Sequence, residues 1–162
     1  MKVAVTVNGE AYQVDIPPRM TLADALRMEM GLTGTHLGCE QGACGACTVL
    51  LNGVPVRSCL MFGVQADGHE VTTIEGLSSE VDDLHPLQQA FLAHRAFQCG
   101  FCTPGILMNF AATLQDTDTM TRQDVREHLS GHICRCTGYV AILDAVCEVL
   151  DRAGKLDESE GV

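Results

Sequence analysis

The hydrophobic pattern of the chain changes period near its middle. From Val3 to Val7 apolar and polar positions alternate weakly, and the run stops at Asn8-Gly9, a pair suited to the type I′ turn of a β-hairpin, whose two central residues need positive φ. Ala11 to Ile16 predicts the return strand, and Pro17-Pro18 ends it, because proline cannot donate to a sheet ladder. Thr21 followed by Asp24 predicts a helix N-cap, with Leu22, Ala25 and Leu26 as a short apolar stripe. A glycine-rich loop runs from Gly31 to Cys47. Thr48 to Leu51 and Val54 to Cys59 predict a second hairpin about Asn52-Gly53, and Val71 to Ile74 a last short strand.

Past the polar stretch from Gly76 to Asp83 the spacing becomes helical. His85-Pro86 predicts a helix carrying Leu87, Ala90, Phe91 and Phe97. Thr103 as N-cap with Pro104 at the first helical position predicts a second, striped by Leu107, Phe110, Ala111 and Leu114. Thr121 with Asp124, and Met120 set against Val125, predict a capped and stapled third helix. Thr137-Gly138-Tyr139 opens a fourth, with Leu143, Val146 and Leu150 on one face. The polar end from Lys155 is expected to fray. The expected division is a sheet-plus-helix domain at 1–76, a linker at 77–84, an all-α domain at 85–152 and a flexible tail at 153–162, an α+β chain overall.

Composition narrows the function. With 162 residues, 46% hydrophobic and 19% charged, the chain has a globular composition and enough length to bury a core. A net charge of −11 repels phosphate backbones, so a nucleic-acid partner is not expected. No stretch is long and apolar enough to span a bilayer, and Met1-Lys2-Val3-Ala4-Val5 reads as a strand rather than a secretory leader. The expected compartment is the reducing cytoplasm, where clustered cysteines serve more often as metal ligands or redox groups than as disulfides.

There are nine cysteines. The first set is Cys39-x4-Cys44-x2-Cys47, with Cys59 after eleven further residues, the plant-type ferredoxin spacing. Three thiolates on one loop can wrap a small iron–sulfur rhomb while the fourth arrives from a strand. Gly38, Gly42 and Gly45 are expected to let the loop curl through positive φ and bring N–H groups near sulfur. The competing reading is zinc, which prefers two separated short cysteine pairs. The second set is Cys99-x2-Cys102, then 31 residues, then Cys134-x-Cys136. Taken alone, this spacing also fits zinc or a thiol–disulfide pair. Cys102 and Cys136 each stand before an expected helix N-terminus, which suits an anionic centre. Helix, cysteine pair and Thr-capped helix, with Thr103 and Thr137 as the two caps, thus occur twice, suggesting two helix pairs closed around one site. Cys147 is left over and reads as a small buried hydrophobe. The six histidines show no ligand spacing and are read as structural or exposed. No nucleophile–base pair or dinucleotide-binding glycine fingerprint is present, so the chain is not expected to be catalytic alone.

Three motifs, Gly38-Cys39-Glu40-Gln41-Gly42-Ala43-Cys44-Gly45-Ala46-Cys47-Thr48-Val49, Gln98-Cys99-Gly100-Phe101-Cys102-Thr103-Pro104-Gly105 and Cys134-Arg135-Cys136-Thr137-Gly138-Tyr139, together resemble the iron–sulfur subunit of the xanthine oxidase family of molybdenum hydroxylases. The resemblance spans roughly Val3 to Leu150. It implies a β-grasp, ferredoxin-like domain followed by a four-helix bundle, each with one [2Fe–2S] cluster. Cys39, Cys44, Cys47 and Cys59 would hold the first; Cys99, Cys102, Cys134 and Cys136 would hold the second. Gln98 matches a glutamine that hydrogen-bonds a pterin, and Cys136 the ligand whose neighbourhood meets the pterin amine. The implied partners are a large molybdopterin subunit, with a cofactor of the cytosine dinucleotide type, and a medium FAD subunit, in a dimer of heterotrimers. The implied role is electron transfer from molybdenum to the flavin or an external acceptor while the large subunit hydroxylates a substrate with oxygen from water. Ser58-Cys59-Leu60-Met61-Phe62 and Val71-Thr72-Thr73-Ile74-Glu75-Gly76 resemble bacterial small subunits acting with carbon monoxide or N-heterocycle enzymes, and the N-heteroaromatic class is favoured over carbon monoxide or aldehydes. The competing functions are a free-standing two-cluster ferredoxin and a zinc-stabilised interaction module.

Overall fold

In the computed structural model, residues 1–78, 83–115 and 118–157 are described. Strands β1 (Lys2–Val7) and β2 (Glu10–Asp15) form the first hairpin, turning through Asn8 at φ 52° and Gly9 at φ 82°. β3 (Thr48–Leu51) and β4 (Val54–Arg57) form the second, with Asn52 at 49° and Gly53 at 82°. With β5 (Glu70–Thr72) they make one five-stranded sheet in the order β2-β1-β5-β3-β4, parallel only between β1 and β5.

Alternation puts Val3, Val5 and Val7 of β1 on the buried face. There they pack with Leu22, Ala25 and Leu26 of α1 (Leu22–Asp24), which runs on as one wide π-helical segment through Glu29. Thr21 caps this helix as expected: its side chain accepts the Asp24 N–H at 3.1 Å. This is the β-grasp, ferredoxin-like half of the chain.

The second half is a bundle of α2 (Pro86–Ala93), α3 (Thr103–Gln115), α4 (Arg122–Ser130) and α5 (Val140–Arg152). Leu87, Phe91, Ile106, Phe110, Val125, Leu129, Ile142, Val146 and Leu150 form its buried core. Thr121 and Asp124 make the expected capping box at α4. A third small cluster, Leu50 of β3 with Met108 and Ala112 of α3, joins the halves; Ile74 and Leu77 pack against it.

Several expectations are corrected. α2 ends at Ala93, so Phe97 lies in the following loop rather than on the helix stripe. Thr103 is the first residue of α3, not its cap, and its hydroxyl has no hydrogen-bond partner among the described residues. α5 begins at Val140, after Tyr139 in a left-handed conformation at φ 70°. Thr137 therefore does not cap it, and Cys136 does not stand directly before a helix. The end of the chain is tied down as far as Asp157: β6 (Met120–Thr121) pairs in parallel with β7 (Leu156–Asp157), a two-stranded addition to the bundle. The middle of the expected linker (residues 79–82) and the end of the expected tail (158–162) lie outside the described residues.

Candidate metal centres

The first cysteine loop runs from α1 to β3. Cys47 sits at the entrance to β3, and Cys59 follows β4 by two residues. Ser58 draws these two together, since its hydroxyl donates to the Cys47 carbonyl at 2.6 Å and its N–H to the same oxygen at 3.3 Å. Cys47 and Cys59 are buried; Cys39 and Cys44 are half-buried. The loop curls through Gly42 at φ 78° and Gly45 at 77°, as expected. Gly38 does not take positive φ; Glu40 does, at 52°. The curl aims backbone donors at sulfur: Gln41 N–H and Cys44 N–H lie 3.4 and 3.3 Å from Cys39 Sγ. Those two bonds pull the Cys39 thiol down to about 7. Burial pushes Cys59 up to about 11, with the neighbouring Cys47 adding to it.

The second set is drawn from two loops, α2 to α3 and α4 to α5. Cys102 is buried and Cys134 half-buried, while Cys99 and Cys136 are exposed with their sulfurs 3.6 Å apart. Burial holds Cys102 up at about 12, and the adjoining Cys134 adds to it. Burial also acts to raise Cys134, but the Thr137 hydroxyl and the N–H groups of Cys136 and Thr137 bring it below its usual range. Thr137 donates its hydroxyl to Cys134 Sγ at 3.1 Å and accepts the Tyr139 N–H at 3.2 Å, the work it does in place of capping. The Gln98 amide donates to the Cys136 carbonyl at 3.1 Å, which ties it to this loop. Cys147 is buried on α5 within the bundle core.

The sulfurs thus meet in neighbouring groups at two places. Among the described residues, no three Cys, His, Asp or Glu side chains close up as a single-ion site. The donor chemistry fits iron–sulfur clusters: all-thiol sets, with N–H and O–H groups aimed at sulfur, are what an anionic cluster needs to be held and tuned. The iron ions of such a cluster would replace the protons that burial favours on Cys59 and Cys102.

The two loops touch directly. Ile133 N–H, beside Cys134, donates to the Cys44 carbonyl at 2.9 Å. Phe101, between Cys99 and Cys102, stacks on His36 with ring centroids 4.8 Å apart, and its carbonyl lies 2.8 Å from His36 Nδ1. Gly45 is required where the halves meet, because a Cβ there would stand 2.7 Å from the Gly131 carbonyl.

Sequence reasoning missed three residues here. Tyr139 holds the second loop: its phenol accepts the Cys134 N–H at 2.7 Å and donates to the His132 carbonyl at 3.0 Å. His132 is only 2% exposed, and burial first, then the Arg57 charge, lowers it to about 4. Arg57 reaches from β4 to Gly131. The Tyr in Thr137-Gly138-Tyr139 was a visible signal; Arg57 and His132 have none, because their partners are far away in sequence.

Known families and relatives agree with this geometry. Residues 5–73 match the 2Fe-2S iron-sulfur cluster binding domain, and residues 73–147 match a second [2Fe-2S] binding domain. The chain is 47% identical over 161 residues to the nicotine 6-hydroxylase small subunit of Paenarthrobacter nicotinovorans, covering 99% of this chain and 94% of that protein. It is 50% identical to caffeine dehydrogenase subunit gamma of Pseudomonas sp. (strain CBB1), over 91% of this chain and 89% of that one. The crystal structure of quinoline 2-oxidoreductase from Pseudomonas putida 86 superposes with a TM-score of 0.88 at 47% identity, over 96% of this chain and 98% of the matched chain. Two cysteine sets in two cluster-binding domains, matched along almost the whole chain, place this protein among the iron–sulfur electron-transfer subunits of the xanthine oxidase family of molybdenum hydroxylases.

Proposed function

We propose that Cys39, Cys44, Cys47 and Cys59 hold one [2Fe–2S] cluster and that Cys99, Cys102, Cys134 and Cys136 hold another, in a domain at 1–76 and a domain at 85–152 joined by a linker at 77–84. The observation that carries the assignment is the aim of the donors: Gln41, Cys44 and Thr137 direct N–H or O–H groups at cysteine sulfur in both loops. Each cluster would supply a one-electron store between a partner's molybdenum centre and the acceptor. The chain's own residues do the rest, fixing the ligands, limiting water at Cys47, Cys59 and Cys102, and presenting Cys99 and Cys136 at the surface.

The exposed second loop is the face for a large molybdopterin subunit, with Gln98 directed at the pterin. A flavin subunit completes a heterotrimer, which pairs into a dimer of heterotrimers in the cytoplasm. Among the described residues no helix is long and apolar enough to cross a membrane. The substrate of the complex is an N-heteroaromatic compound, a reading supported by relatives named for nicotine, caffeine and quinoline.

The test is analytical and then kinetic. The purified complex should contain about four irons and four acid-labile sulfides per copy of this chain, with two distinct EPR signals on reduction. Zinc without labile sulfide would end the cluster assignment. Turnover of aldehydes but not of nicotine, quinoline or purines would end the substrate assignment.

A further inference from the structure

We infer that Arg57 is a positioning residue that fixes the separation of the two cluster loops; the inference rests on the two-cluster reading above. Arg57 ends β4, two residues before Cys59. Its guanidinium is a planar fork with five N–H donors, and its two terminal nitrogens straddle the boundary between the halves. On the bundle side Nη2 donates to the Gly131 carbonyl at 2.7 Å. On the sheet side Nη1 donates to the Thr48 hydroxyl, which itself donates to the Gly45 carbonyl at 2.7 Å. The same Nη1 lies 3.3 Å from His132 Nε2, and that ring nitrogen lies 3.4 Å from the Thr48 hydroxyl.

Both ends of this bridge lead straight to cysteine ligands. Thr48 follows Cys47, and Gly131 and His132 precede Cys134 by three and two residues. Thr48 and His132 are each 2% exposed, so the bridge lies in a water-poor seam where a charge-assisted hydrogen bond is strong and a loose end is costly. Around it the packing has little slack: a Cβ on Gly105 would collide with the Gly45 carbonyl, and one on Gly45 with the Gly131 carbonyl and the His132 ring. Together with the Ile133 N–H bond to the Cys44 carbonyl and this glycine packing, the Arg57 side chain holds the Cys44–Cys47 run in place relative to the Ile133–Cys134 run. Function needs such support because electron transfer between two centres depends steeply on their separation, and a site held only by its own ligands is loose.

The experiment uses the intact complex with Arg57→Ala, Arg57→Lys and Thr48→Val. Iron, labile sulfide and the two EPR signals are measured first, then the dipolar coupling between the clusters by pulsed EPR of the fully reduced protein. Dipolar coupling falls as the inverse cube of distance, so it reads the spacing itself. Arg57→Ala is expected to keep both clusters and their individual g values while the single coupling of the wild type spreads into a broader band of lower mean. Arg57→Lys retains a cation able to reach one carbonyl and should recover part of the narrow band. Thr48→Val, which removes the Nη1 acceptor at nearly constant shape, should broaden the coupling without loss of iron, and it decides the matter if Arg57→Ala does not assemble. A wild-type coupling in Arg57→Ala, or in Thr48→Val when Arg57→Ala does not assemble, overturns the role of Arg57 and leaves the cluster assignment standing. A wild-type complex lacking iron and sulfide overturns the cluster assignment and this role with it.

Discussion

Tyr139→Phe isolates what one hydroxyl does for the second cysteine loop. The phenol accepts the N–H of Cys134 at 2.7 Å and donates to the carbonyl of His132 at 3.0 Å. It therefore closes the turn just before the Cys134–Cys136 pair. Phenylalanine keeps the ring and the same left-handed backbone at this position, so the φ of 70° is as strained after the substitution as before. What changes is two hydrogen bonds, each contributing about 0.5–1.5 kcal/mol net, and more if the freed N–H and carbonyl find no water. A total near 2 kcal/mol corresponds to roughly a thirtyfold rise in the population of the opened loop. The assay is bleaching of the visible absorption by an iron chelator, followed together with the two EPR signals. The second cluster's signal should decay about thirtyfold faster than in the wild type, and the ferredoxin-type signal should keep its rate. Equal decay of both signals at wild-type rates would refute the argument, as would equal acceleration of both, since the phenol touches only the second loop.

Three other substitutions test separate parts of the structure. Cys147→Ser should retain both clusters and cost about 1–2 kcal/mol for placing a hydroxyl in the bundle core; loss of either EPR signal would show that the sulfur assignments are wrong. Met108→Ala removes the side chain that α3 sets against Leu50 and should cost about 2–5 kcal/mol, read as a lower midpoint for thermal loss of the visible spectrum with full iron content at low temperature. Gln98→Ala should leave both cluster spectra nearly unchanged, because among the described residues the amide bonds the Cys136 carbonyl and no cysteine sulfur, and should slow substrate-driven bleaching of the clusters or reduce molybdenum retention in the complex. Unchanged values for both of these measurements would make Gln98 an ordinary loop residue.

The features that were legible in the sequence are those whose physics is local. Asn8-Gly9 and Asn52-Gly53 demanded positive φ and received it. Thr21 with Asp24 and Thr121 with Asp124 could satisfy helix-end N–H groups within one turn, and both do. Cysteine spacing was legible for the same reason, since Cys39, Cys44 and Cys47 share one short loop. Thr103 lies one position inside its helix, with no partner for its hydroxyl among the described residues, and the error at Thr137 came from applying one local rule where another wins. Thr137 could have capped a helix, but a sulfur lies within reach of its hydroxyl, and the chain needs Tyr139 in a left-handed turn to bring the phenol back over Cys134.

The pairing of Met120–Thr121 with Leu156–Asp157 was invisible because two-residue strands carry no period, and α4 and α5 stand between the partners in sequence. Arg57 and His132 were invisible for a stronger reason. Nothing in Val56-Arg57-Ser58 distinguishes an exposed arginine at the end of a strand from one that reaches a carbonyl at position 131. His132 was read with the other histidines as structural or exposed; at 2% exposure it is structural, a part of the seam that its spacing could not point to. The cysteines specify what each loop can bind. The spacing between the loops is specified by polar residues paired across more than seventy positions of sequence, and only the folded chain reveals which residues those are.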